Sequence, residues 1–141
     1  MNINENDIPD GLLNVMQGIE NYLRKSKFDY PLLELIRYRI SQINKCKYCK
    51  DMHYQKALEI GESENRLCII ADWKDSSLFS PREKAALKYA ESLSLIEAKT
   101  PSHKDSIELK RHFSKEQICI LTLAIAQINS WNRLMIGLSI H

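Results

Sequence analysis

The chain has 141 residues, 44% of them hydrophobic, and a formal net charge of +2. That is apolar material for one closed core, so a single domain over residues 1–141 is expected. A charge so close to balance excludes a strong global field for nucleic acid, and the longest apolar stretch, Ile118 to Ile128, is broken by Thr122 and Gln127 and too short for a membrane span.

With only 4 Gly and 4 Pro and little β-branched alternation, everything regular is expected to be helical, an all-α chain. Leu12, Leu13, Met16, Ile19 and Leu23 recur at helical spacing, with Asp10 as the expected N-cap. Pro31 suits the first turn of a second helix carrying Leu32, Leu35, Ile36, Ile40 and Ile43, which ends near Lys45. A third helix runs from about Cys46 to Ile60, with Gly61 as the left-handed residue past its end. Ser63 is expected to cap a fourth, through Leu67, Ile70, Ala71 and Trp73. Ser80-Pro81-Arg82-Glu83 places an N-cap serine, a proline at N1 and a glutamate at N3 at the head of a fifth. Ser102 to His112 reads as a shorter polar helix. Ser114 and Gln117 form a second capping box, opening a helix from Ile118 to about Leu138 that is expected to be the central buried element. On it Trp131 reads as core, while Asn132 and Arg133 need partners.

The first twenty residues carry Asn, Glu and Asp and no basic flank followed by an apolar run, so no secretory signal is expected and the protein is read as soluble and cytoplasmic. In that compartment structural disulfides are rare, and a close cysteine pair points to redox or metal chemistry. Cys46 and Cys49 form such a C-x-x-C pair. Cys68 and Cys119 stand alone among Ile and Leu, where free cysteine packs as a small hydrophobe, and both are expected in the core.

Cys46, Cys49 and His53 stand at i, i+3 and i+7, within one stripe of the third helix. The stripe begins at the helix N-terminus, where free N–H groups favour a thiolate, and Lys45, Lys47 and Lys50 add positive potential. Such a pair can close a disulfide. His53 is placed to accept a thiol proton, and Glu34 on the preceding helix faces the same space if the two helices form an antiparallel hairpin, where it would orient His53 or relay its proton. The alternative chemistry for these residues is zinc, with Cys46, Cys49 and His53 as ligands and Glu34 or Cys68 as a fourth. No second C-x-x-C or H-x-x-x-H supports it, so no metal and no cofactor is expected.

These residues resemble the AhpD-like alkylhydroperoxidase family within the carboxymuconolactone decarboxylase superfamily. The family pattern is a glutamate, eleven residues, then C-x-x-C-x-x-x-H, and Glu34, Cys46, Cys49 and His53 match it without a gap. The stretches around Leu35-Ile36-Arg37, Ser80 to Leu87 and Ile128 to Arg133 resemble it as well. The resemblance implies a compact multi-helix AhpD-like fold, usually a homo-oligomer, that reduces a small hydroperoxide through a redox-active Cys46–Cys49 disulfide. It makes Cys49 the attacking thiolate and Cys46 the resolving thiol, although the helix dipole alone favours a thiolate at Cys46. Glu34 and His53 become proton relays, and the electron donor a dithiol carrier of lipoyl or thioredoxin-like type. One position departs: Tyr48 stands where family members carry a second histidine. A tyrosine relays protons poorly at neutral pH, so Tyr48 is a candidate modulator. The alternatives are a non-enzymatic redox sensor using the same pair and, behind it, a metal-binding module.

Overall fold

The computed structural model of the chain describes residue 3, residues 5–95 and residues 101–140, and every regular element among them is helical. The α-helices are α1 (Leu12–Lys25), α2 (Tyr30–Ile43), α3 (Lys47–Glu59), α4 (Glu64–Cys68), α5 (Pro81–Ser94), α6 (His103–His112) and α7 (Lys115–Gly137). Short 3-10 turns occupy Glu5–Asp7 and Ile70–Asp72. No helix among the described residues is long and apolar enough to cross a membrane.

The capping signals in the sequence act as expected. Ser80 Oγ accepts the Glu83 N–H at 3.2 Å while the Glu83 carboxylate accepts the Ser80 N–H at 2.7 Å, and Ser114 and Gln117 repeat the exchange at 3.1 and 2.9 Å. Two starts differ. The N-cap of α1 is Gly11, at φ 82°, and not Asp10, because the chain enters this helix through a left-handed turn that glycine adopts freely. Ser63 sits at the N-cap of α4, but its hydroxyl makes no capping bond. That helix also stops at Cys68 and does not run on to Trp73. The tighter turn that follows brings both Ile70 and Trp73 into the core, where the Trp73 indole donates to Glu91 at 2.9 Å.

The centre of the bundle is α2, which packs against α3, α5 and α7. Residues Leu32 to Tyr38 are buried without interruption, as only a helix with neighbours on all sides allows. The apolar run of α7 is therefore one wall of the core, with exposed residues along its length, and not its centre. Cys68 and Cys119 are both exposed, contrary to expectation. Each lies on the outer side of its helix, where the adjacent core positions are taken by Leu67 and Leu121.

The link from α2 to α3 sets up the site. The Cys46 N–H donates to the Ser41 carbonyl and the Lys45 N–H to that of Gln42, both at 3.1 Å, the pattern of a Schellman cap. Lys45 takes the left-handed position at φ 57°, a conformation that costs a non-glycine residue about 1 kcal/mol. The turn is held from outside. The Asn44 side chain donates to Asn129 at 2.8 Å and to Asn132 at 2.9 Å, and Asn132 donates to Ser41 at 3.0 Å. These are the partners that a buried Asn132 requires. Arg133, in contrast, is exposed, and among the described residues it reaches only Asn129.

Candidate active site

Cys46 is the N-cap of α3, its sulfur accepting the Cys49 N–H at 3.4 Å. One helical turn thus brings the two sulfurs together as a disulfide, with the Cα atoms 5.4 Å apart. Both cysteines are buried and pack with Met135 of α7 in a small cluster beside the main core. His53, one turn beyond Cys49, is also buried.

Across the hairpin, Glu34 is completely buried and its Oε2 lies 2.7 Å from His53 Nδ1. The other carboxylate oxygen accepts Arg37 Nη1 at 2.6 Å. Arg37 Nη2 donates in turn to Glu20 of α1 at 2.7 Å, and the second oxygen of Glu20 accepts the Trp131 indole N–H of α7 at 3.1 Å. A buried carboxylate is stable only when paired and fully hydrogen-bonded, and this chain from His53 to Trp131 meets that condition across four helices. The hairpin that the sequence reading made conditional therefore exists, and it brings Glu34 to His53.

Burial pushes the Glu34 carboxyl up, but the hydrogen bond and charge of His53, with the Arg37 guanidinium, outweigh it and hold the group at about 2, against an ordinary 4.5. Burial, with the Glu34 charge, also pushes the Tyr30 hydroxyl above its ordinary value. An ionised Glu34 only accepts hydrogen bonds, so His53 Nδ1 is the donor. In the neutral ring the free lone pair is then on Nε2.

The lowered carboxyl makes stability depend on acid. A folded value below the unfolded one means that the contribution of Glu34 is complete above about pH 4.5 and is lost as the pH falls toward 2, a difference of about 3 kcal/mol. Urea midpoints measured from pH 6 down to pH 2 should fall through this window in the wild type. They should fall by clearly less in Glu34→Gln, and parallel curves would remove the assignment.

Cys49 and His53 border a cleft of about 680 Å³. Its walls include Leu13 of α1, Met52 of α3, and Trp131 and Met135 of α7, with Glu20, Arg24 and Lys56 adding charge. Tyr48 is exposed and borders the same cleft. Cys46 does not border it, and instead lines a second pocket at the α3 N-terminus with Ser41, Lys45, Lys47 and Lys50. Among the described residues no group of three or more His, Cys, Asp or Glu is arranged to hold a metal ion.

Sequence reasoning placed Cys46, Cys49, His53 and Glu34 but missed Arg37, Glu20 and the polar role of Trp131. The three-residue step from Glu34 to Arg37 was a usable signal, since it puts the two on one helix face. Nothing comparable pointed to Glu20, which is joined only through tertiary packing.

A sequence model described as the carboxymuconolactone decarboxylase family matches residues 9–92, a stretch that contains the four site residues. The uncharacterized protein YdfG of Bacillus subtilis (strain 168) is 38% identical over 130 residues, 92% of this chain and 88% of that one. A crystal structure from Agrobacterium tumefaciens, of a protein of unknown function provisionally assigned as the antioxidant defence protein AhpD, matches with a TM-score of 0.87 and 30% identity, covering 92% of this chain and 88% of that one. An uncharacterized peroxidase-related protein from Silicibacter sp. TM1040 shares the fold, with a TM-score of 0.81 and 20% identity over 92% of this chain and 69% of that one.

Proposed function

The chain belongs to the carboxymuconolactone decarboxylase family, in its AhpD-like branch, and from that premise we propose that it is a thiol-dependent reductase of small organic hydroperoxides. The observation that carries this reading is the shared cleft of Cys49 and His53, with His53 pinned by Glu34 at 2.7 Å.

In the reduced protein, His53 Nε2 takes the Cys49 thiol proton and leaves a thiolate. The thiolate attacks the terminal peroxide oxygen. An S–O bond forms, the O–O bond breaks, and the alcohol leaves with the proton carried by His53. Cys49 is now a sulfenic acid. Cys46 attacks its sulfur, water is released, and the disulfide closes. A dithiol carrier of the lipoyl or thioredoxin type restores both thiols. A carboxylate held at about 2 is too weak a base to carry a proton at neutral pH, so Glu34 orients His53 and does not relay. The apolar wall formed by Leu13, Met52, Trp131 and Met135 favours an organic hydroperoxide. On this reading the chain works as one domain, as a homo-oligomer in the cytoplasm.

The test is a single-turnover oxidation. Reduced protein mixed with one equivalent of cumene hydroperoxide should form the Cys46–Cys49 disulfide and one equivalent of alcohol, at least about 100-fold faster than a free model thiol. A rate equal to that of the free thiol would replace the enzyme with a redox sensor.

A further inference from the structure

The two cysteines of the disulfide line different pockets. Cys49 borders the cleft with His53, whereas Cys46 borders a pocket with Arg39, Ser41, Lys45, Lys47 and Lys50. No acidic residue lines that pocket. Its charges are only partly answered from outside. Arg39 pairs with Glu91 at 2.8 Å, and Lys47 and Lys50 share Asp51 at 2.8 and 3.6 Å. Lys45 is exposed and makes no ion pair among the described residues, and its left-handed backbone holds it beside Cys46. Cys46, which lines this pocket, therefore lies in a positive field that draws anions toward it.

We propose that the electron donor of the redox cycle is an acidic protein bearing a dithiol, which enters from this basic face and attacks Cys46, leaving the cleft to the oxidant. The inference rests on the redox reading above and adds where the second half-reaction occurs. A donor thiolate attacks Cys46 Sγ; a donor–Cys46 bond forms, the Cys46–Cys49 bond breaks, and Cys49 leaves as a thiolate beside His53. The donor's second thiol then loses its proton to solvent and attacks the donor sulfur of the mixed disulfide. Cys46 leaves as a thiolate stabilised by the Cys49 N–H at the start of α3. The donor becomes a disulfide, and the protein gains two electrons and regains both thiols. Attack at Cys46 releases the sulfur that the next hydroperoxide must meet.

The experiment needs no hydroperoxide, because the full chain is oxidised with diamide beforehand. It is then exposed to a dianionic thiol, mercaptosuccinate, or a cationic one, cysteamine. Each rate of disulfide opening is divided by that thiol's rate on 2-hydroxyethyl disulfide. At low salt the normalised rate should favour mercaptosuccinate by about tenfold, and the preference should collapse at an ionic strength of about 0.5 M, where charges more than a few ångströms apart are screened. Lys45→Glu should cut the preference several-fold. Acid quenching, alkylation of released thiol and peptide mass analysis should locate the first adduct on Cys46. An adduct on Cys49, or normalised rates within twofold of each other, would overturn the proposal. Either result leaves hydroperoxide reduction standing, just as a failed peroxidase assay would leave this test intact.

Discussion

Cys49→Ser should abolish hydroperoxide turnover, lowering the rate at least about a thousandfold to the uncatalysed background, because a serine hydroxyl cannot supply the thiolate that breaks the O–O bond. Cys46→Ser should behave differently. Cys49, His53 and the cleft remain, so the first chemical step survives while the disulfide cannot close. Stopped-flow mixing with one equivalent of hydroperoxide should give a single burst of alcohol and a sulfenic acid on Cys49 that dimedone traps. Fold loss would not mimic this result, since serine is a better N-cap than cysteine and the start of α3 is kept. The pair of variants also resolves a conflict between two physical arguments. The N-terminal dipole and the capping N–H favour a thiolate at Cys46, but the cleft and His53 belong to Cys49. Sulfenic acid on Cys46, with Cys49→Ser still giving the burst, would reverse the two roles.

How much of this was legible in the sequence varies with the range of the interaction that decides it. Ser80 with Glu83 and Ser114 with Gln117 are decided within one turn, so their capping boxes could be read directly. The stripe of Cys46, Cys49 and His53 is decided within one helix. Glu34 required one more inference, a hairpin between neighbouring helices, and family spacing supplied it. Beyond that range the signals fail. Periodicity marks an apolar face but not how many neighbours surround a helix, so the burial of Arg37 is not visible in the sequence, and the apolar start of α7 suggests a centre that α2 occupies. For the same reason Cys68 and Cys119 read as core while the structure exposes them, because a cysteine among Ile and Leu carries no sign of which side of the helix faces solvent. Residue type suggests Asp10 as the cap of α1, while backbone handedness gives the position to Gly11.

The network beyond His53 carries the second large effect. Glu34→Gln preserves shape and removes the charge, which forces a choice on the amide. Its oxygen must face Arg37 Nη1, since the NH₂ group and the guanidinium are both donors. The NH₂ group then faces His53 Nδ1, which must become an acceptor, and the ring proton moves to Nε2. On the proposed mechanism, Nε2 of His53 then carries a proton where it had offered Cys49 a lone pair, so the base is lost although every heavy atom can stay in place. The expected loss in kcat/KM is about 100- to 10,000-fold, the range set by general-base catalysis and by tautomer reversal in acyl-transfer triads. Removing one charge of a buried pair also destabilises the fold, by about 3 kcal/mol, tempered here because Arg37 keeps Glu20. The two losses are separable. Raising the pH assists ionisation of the Cys49 thiol without His53, so the activity of Glu34→Gln should recover toward wild type in alkali while its urea midpoint does not. Glu20→Gln, acting two links further from the sulfur, beyond Arg37, should weaken stability and leave the pH profile of the rate in place. If Glu34→Gln instead kept activity within threefold at neutral pH, Glu34 would be no more than the counter-ion of Arg37, and the thiol proton would have to leave through the cleft by water alone.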